Sequence, residues 1–203
     1  NELAILQVFQ DVIRPTQCSA VAAFGGSSAT GKTILGRNLD WDALPRNDMS
    51  RMHAVTTTKN GEKSIVMVHF LGMLTPATAY NDNKIFGAFL DAETGAPYPA
   101  DLSSKRSYCL DFRYALENMS TMQEIADFLK TKEYAFNHLL FMADEESAGV
   151  LEQNIGSPGR GFRRVDSELR KGVVWDVPDT LATVNDFRLP GNFVYPDDDP
   201  SDN

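Results

Sequence analysis

Apolar side chains recur at Leu3, Ile5, Leu6, Phe9, Val12 and Ile13, a helical spacing over residues 1–14. Pro15 biases Arg14 away from helix and should end it. Ala20 to Phe24 is a short apolar run of buried-strand type, and the glycine-rich stretch 25–31 is a loop. Leu35, Leu39 and Trp41 then share one face of an extended segment. Residues 54–58 and 64–70 predict two strands joined at Asn60-Gly61, a strong hairpin signal. Asn81 to Asn83 opens a turn before a strand over 85–90. The period then changes. Residues 104–117 fit a helix, and Ser120-Thr-Met-Gln-Glu124 has a capping-box pattern ahead of Ile125, Phe128 and Leu129, a second helix. Strands return at 138–143 and 149–151 around the turn 144–147, and runs at 173–175 and 181–184 complete the series. Strands, two helices, then strands, without an internal repeat, predict an α+β domain of mostly antiparallel sheets with a helical layer.

Composition agrees with a packed domain. Of 203 residues, 42% are apolar and 23% charged, enough for a real core. The longest apolar stretch, 65–74, is broken by His69 and Gly72 and is far short of the ~20 residues of a membrane span. The net charge of −9 has no basic stripe against it, which disfavours nucleic acid and anionic lipid as partners. Four of the acidic residues (Asp197, Asp198, Asp199 and Asp202) make residues 196–203 an acidic tail of disordered type. Two cysteines, Cys18 and Cys109, show no zinc spacing and allow one disulfide at most, so no metal or cofactor is expected. The first residue is Asn1, not Met, which is compatible with upstream processing and with export. Asn118-Met-Ser120 is a glycosylation pattern that matters only in an exported chain.

Two motifs compete for one loop. Gly26-Ser-Ser-Ala-Thr-Gly31-Lys32-Thr33 fits the phosphate-binding pattern without mismatch, and Leu139 to Asp144 has the apolar run and acidic end that hold magnesium in nucleotide-binding proteins. That site needs a helix immediately after the lysine, its free N–H groups aimed at the phosphates. Here Thr33 and Ile34 are β-branched, Gly36 and Asn38 follow, and the apolar positions 35, 39 and 41 alternate as in a strand. The local sequence therefore opposes a nucleotide site.

The second reading starts at Cys18. The span Cys18-Ser-Ala-Val-Ala-Ala-Phe24, a glycine-rich loop, then Gly36-Arg-Asn-Leu-Asp-Trp41 resembles the N-terminal-nucleophile hydrolases of the linear-amide C–N group. That group includes bile-salt hydrolases, penicillin V acylases, the acyltransferase that makes penicillins and acid-ceramidase-like amidases. Asn81 to Asp91 resembles the family's second hairpin, except that the family ends it with Asn. Phe141 to Asp144 with Val150 to Glu152 resembles a later hairpin, and Ala182 to Phe187 the Thr-Asn-x-Phe region with Val184 inserted. The resemblance covers most of 18–187 and stops short of the family's usual length, and it assigns no residue here to the family's further C-terminal arginine. It implies a four-layer αββα sandwich. Residues 1–17 would be a pro-segment, 18–195 the hydrolase domain and 196–203 the acidic tail.

The same resemblance implies the chemistry. Cutting Gln17–Cys18 would give Cys18 a free α-amine, whose reference pKa of about 7.7–8.0 suits a base at neutral pH. One residue would then supply nucleophile and base. Asp40 would hold the amine and Arg37 would stand by the thiolate. Three positions apart on a regular strand, those two point to opposite faces, so a bulge or strand end would have to reorient one. Asn185 and the backbone N–H of Asp91 would hold the oxyanion. Trp41, Phe70, Leu71 and Met73 are candidates for an acyl pocket or for ordinary core. The three histidines, His53, His69 and His138, have no obvious carboxylate partner and are expected to be non-catalytic. The expected substrate is a small acyl amide. A homo-oligomer is compatible with the sequence, and so is a non-catalytic domain that kept the fold.

Overall fold

A computed structural model describes residues 2–8, 16–41, 48–92, 94–156 and 160–192. The expected N-terminal helix is present as α1 (Glu2–Gln7); its continuation to residue 14 and the acidic tail lie outside the described residues. Ten strands follow in two antiparallel sheets. The smaller contains β1 (Thr16–Ala23), β2 (Ile34–Trp41) and β10 (Thr180–Thr183), ordered β10-β1-β2. The larger contains β3 (His53–Asn60), β4 (Lys63–Phe70), β5 (Thr78–Asn81), β6 (Phe86–Asp91), β7 (His138–Ala143), β8 (Ala148–Gln153) and β9 (Gly161–Arg163), in chain order. Between β6 and β7 come helices α2 (Tyr108–Asn118) and α3 (Met122–Lys130).

Alternation along the strands builds two cores. One face of β4 and β6–β8 packs under the helices, where Ile65, Met67, Leu140, Met142 and Leu151 meet Phe112, Leu116, Ile125 and Leu129. The opposite face (Leu90, Leu139, Phe141, Val150) packs against Cys18, Ala20, Ala22 and Leu181 of the smaller sheet. Helix layer, sheet and sheet are thus stacked. On the far face of the smaller sheet Val21 and Ile34 are exposed, and among the described residues no helix covers them. The α+β sandwich expected from the sequence is present, with one helical layer in the described part.

Local details refine the expectations. The β3–β4 register pairs Asn60 with Lys63, so the two-residue turn is Gly61-Glu62 rather than Asn60-Gly61. Gly61 adopts φ +63, as a hairpin with glycine at its first turn position requires. The capping box belongs to Thr121 and Glu124, one residue later than the Ser120 pattern suggested. The strand expected at 173–175 does not form: Val174 is exposed, and the indole of Trp175 donates to Thr180 O instead of a neighbour strand forming there. Short β5 and β9 were not foreseen, because three or four residues carry too little periodicity.

Candidate active site

Cys18 lies near the start of β1 with its side chain in the inter-sheet core, 4% exposed. The β1–β2 register runs unbroken from Thr16–Trp41 to Ala23–Ile34, pairing Cys18 with Leu39 and Ala20 with Arg37. Cys18, Ala20, Arg37 and Leu39 therefore share the inward face. Arg37 Nη2 lies 3.5 Å from Cys18 Sγ and donates to Phe89 O at 3.0 Å. One guanidinium thus links the thiol of one sheet to the β6 backbone of the other. Its Nε is buried without an acceptor among the described residues.

Asn185 is the second link. On the β1–β10 register Ala20 faces Thr183, so two residues on in each direction Cys18 faces Asn185. The chain has left the strand there, and the side chain occupies the ladder position. Cys18 N–H donates to Asn185 Oδ1 at 2.7 Å, and Asn185 Nδ2 donates to Asp91 O at 2.8 Å. The amide orientation follows from its partners, one a donor and the other an acceptor.

Both contacts fall on one edge of β6. Phe89 N–H donates to Ala77 O on the β5 side, and Ala92 N–H to Asn137 O on the β7 side. Alternation puts the N–H and C=O of Asp91 on the same side as those of Phe89, beyond the end of β5. The Asp91 carboxylate is buried and accepts Ala92 N–H at 2.9 Å.

The electrostatics oppose each other. Burial pushes the Cys18 thiol above its ordinary value. Arg37 is the larger counterweight, with the Asp40 backbone N–H also favouring the thiolate, while the Asp40 and Asp91 carboxylates oppose it. Burial also lowers the Arg37 pKa, offset by Cys18 and Asp40. Burial therefore favours the neutral Cys18 thiol and weighs against the Arg37 charge beside it.

Of the expected residues, Cys18, Arg37, Asn185 and the Asp91 backbone come together. The Asp40 side chain does not join them. The strand has no bulge, so Asp40 stands on the exposed face, where Asn38 Nδ2 donates to both its oxygens at 2.8 Å. His53 stacks on Phe70 at 5.0 Å, His69 bonds Thr56, and His138 Nδ1 meets Phe136 O. Phe70 and Met73 are buried and Leu71 is exposed, while the Trp41 side chain lies outside the described ones. Lys32 is followed by strand β2, not a helix, and Asp144 caps Glu146 and Ser147 in the β7–β8 turn. The phosphate-loop alternative thus lacks the helix N-terminus it needs.

Sequence reasoning passed over the residues behind Asn185. Glu152 and Arg163 form a buried ion pair at 3.0 Å between the sheets. The signal was there: a carboxylate that follows the apolar run Ala-Gly-Val-Leu in a strand must find donors or not be buried.

No family model and no curated protein matches the sequence. Solved structures do. The N-acylethanolamine-hydrolyzing acid amidase ortholog of Caenorhabditis elegans superposes with a TM-score of 0.53 at 18% identity, over 68% of this chain and 60% of that one. A mutant of the conjugated bile acid hydrolase from Clostridium perfringens gives 0.49 at 15% identity, over 73% and 51%. The chain spans less than two thirds of either protein. At 18% identity the likeness to the Caenorhabditis elegans protein speaks for the fold alone, the stacked helical layer and two antiparallel sheets over the part that superposes.

Proposed function

We propose that the chain is an amidohydrolase that cleaves linear amide C–N bonds with Cys18 as nucleophile, after self-cleavage at Gln17–Cys18. The carrying observation is the pair of side chains that converge on Cys18 from its two flanking strands, Arg37 of β2 on Sγ and Asn185, just after β10, on N. A structural cysteine in a core needs neither.

In self-cleavage, Cys18 Sγ attacks the Gln17 carbonyl carbon as the C–N bond breaks, and the departing Cys18 nitrogen takes a proton. Water then hydrolyses the thioester, releasing Gln17 as a carboxylate and Cys18 with a free amine. In turnover, that amine accepts the thiol proton and the thiolate attacks the substrate carbonyl. Asn185 Nδ2 and Asp91 N–H stabilise the oxyanion. The ammonium returns its proton to the leaving amine, and water, deprotonated by the same amine, releases the acid. Arg37 stabilises the developing thiolate, and its buried Nε offers a donor to the substrate. The acyl amide class fits the similarity to an N-acylethanolamine-hydrolyzing amidase. If a second amine outcompetes water at the thioester, the same site performs acyl transfer.

Intact-mass measurement of fresh and aged protein tests the reading. A new fragment beginning Cys-Ser-Ala-Val, absent from Cys18→Ala, is expected. Active protein with Gln17 still attached would overturn it.

A further inference from the structure

Glu152 is the penultimate residue of β8. The registers place it in one row with Leu90, Leu139 and Gly161, on the face of the larger sheet that meets the smaller one. It has no solvent exposure. A carboxylate so placed must be paired and hydrogen-bonded to persist as an ion. Its Oε1 accepts Arg163 Nε at 3.0 Å and Arg188 N–H at 3.0 Å. Its Oε2 accepts Arg188 N–H at 3.1 Å, Leu189 N–H at 3.0 Å and Asn192 Nδ2 at 3.0 Å.

Every partner is a donor, and three of the four residues belong to 188–192, the segment just after Asn185. Arg163 reaches the other way: its Nη2 donates to Ala182 O in β10, just before Asn185. The chain is thus gripped on both sides of Asn185 by one buried ion pair. Between the grips, Phe187 is fully buried and Arg188 Nε pairs with Asp186 at 2.8 Å. Little freedom remains for the residue whose amide meets Cys18 and Asp91.

We propose that Glu152, braced by Arg163, is a positioning residue of the amidase site: it fixes the backbone that carries Asn185, and so the place of the oxyanion donor. The inference rests on the amidase reading above. Glu152 does not touch the reacting atoms. It acts through Asn185.

The chemistry of the cluster supplies the variant. In Glu152→Gln one oxygen becomes an NH2 group. Arg188 N–H contacts both carboxylate oxygens, so either amide orientation sets donor against donor there. Displacement of a catalytic group by about 1 Å costs about 10²-fold in rate. We expect Glu152→Gln, in processed enzyme that still unfolds cooperatively, to lower kcat about 10²-fold with KM within about twofold. In an Asn185→Ala background the same change should alter kcat less than about twofold, because the group it positions is gone. A purely structural role would give equal losses in both backgrounds, and that result, or an unchanged kcat in the single variant, overturns the proposal. If Glu152→Gln does not fold, Asn192→Ala, which removes one donor, is read in the same cycle.

Hydrogen exchange separates this inference from the amidase reading. Glu152→Gln should speed exchange of the 184–189 amides and spare β7 and β8. If wild-type protein hydrolyses no acyl amide, or Asn185→Ala leaves kcat unchanged, the catalytic reading fails, and exchange alone decides the positional claim. Unchanged protection at 184–189 overturns that claim too.

Discussion

Asn185 faces Cys18 across the β1–β10 register as a side chain standing where a backbone carbonyl would continue the ladder, 2.7 Å from the Cys18 nitrogen. In the uncut chain that nitrogen is a peptide N–H. The proposed cleavage would turn it into an amine beside the same side chain. That amide, through Asp91 O, also ties Cys18 to the other sheet.

Asn185→Ala should lower kcat of the processed enzyme by about 10²–10³-fold, the loss typical of one oxyanion donor. Asn185→Asp should be no better, since it replaces the donor with a negative charge. Steady-state hydrolysis of an acyl-amide panel checks both. Activity within about threefold of wild type in Asn185→Ala removes the side chain from the oxyanion site.

Arg37 sets the thiol. Burial raises the Cys18 pKa and Arg37 is the main force in the other direction. Removing the cation leaves desolvation unopposed, so in Arg37→Met the thiolate should form at a still higher pH. The alkylation rate of Cys18 by iodoacetamide, followed by mass spectrometry across pH, should show its midpoint displaced upward in the variant. A midpoint that stays or falls contradicts the electrostatic role. The uncut protein is suitable, because the contact exists before cleavage.

Much of this was legible in the sequence, for physical reasons. Short apolar or β-branched runs bounded by turn signals marked β3, β4 and β6–β8, and the 3.6 period marked α2 and α3. The β1–β2 pair announced itself through Cys18 and the run Gly36 to Trp41. Face assignment was harder. Parity said that Arg37 and Asp40 point apart, and the unbroken register keeps them apart. What the sequence did not show was how Glu152 and Arg163 meet behind Asn185, because they converge only once the strands pack. Several of their partners are backbone groups, which carry no residue signature.

Gly87 tests the packing beneath the site. A Cβ built there would lie 2.6 Å from Phe112 Cζ and 2.8 Å from its Cε2, where α2 crosses β6. Phe112 is fully buried among Leu116, Ile125 and Leu140 and has little room to retreat. Gly87→Ala should destabilise by about 1–3 kcal/mol through overpacking. In a Phe112→Leu background, which trims the ring, the added cost should shrink by at least about 1 kcal/mol. Urea unfolding of the four proteins measures the coupling. Additive losses would mean that the ring is not what the methyl group meets.

Asp40 separates cleavage from turnover. In the uncut chain its carboxylate stands on the exposed face of β2, held by both bonds from Asn38, while Sγ points inward. It faces Gln17 across the ladder, next to the bond whose cleavage is proposed. Its backbone N–H, which favours the Cys18 thiolate, survives any side-chain change. If the carboxylate holds the new amine, it must leave Asn38 once Gln17 has gone. Asp40→Asn should therefore self-cleave at a rate within about threefold of wild type, yet lose about 10²-fold in kcat, one charged contact to the amine being absent. Asn38→Ala, which frees the carboxylate, should leave kcat within about threefold, as expected of a surface contact. Self-cleavage is followed by intact mass and turnover by initial rates on the isolated processed form. Equal loss of both steps in Asp40→Asn would place the carboxylate at the thiol before cleavage, against the regular strand seen here. Loss of neither would leave the amine to Asn185 alone, since that side chain already reaches the Cys18 nitrogen.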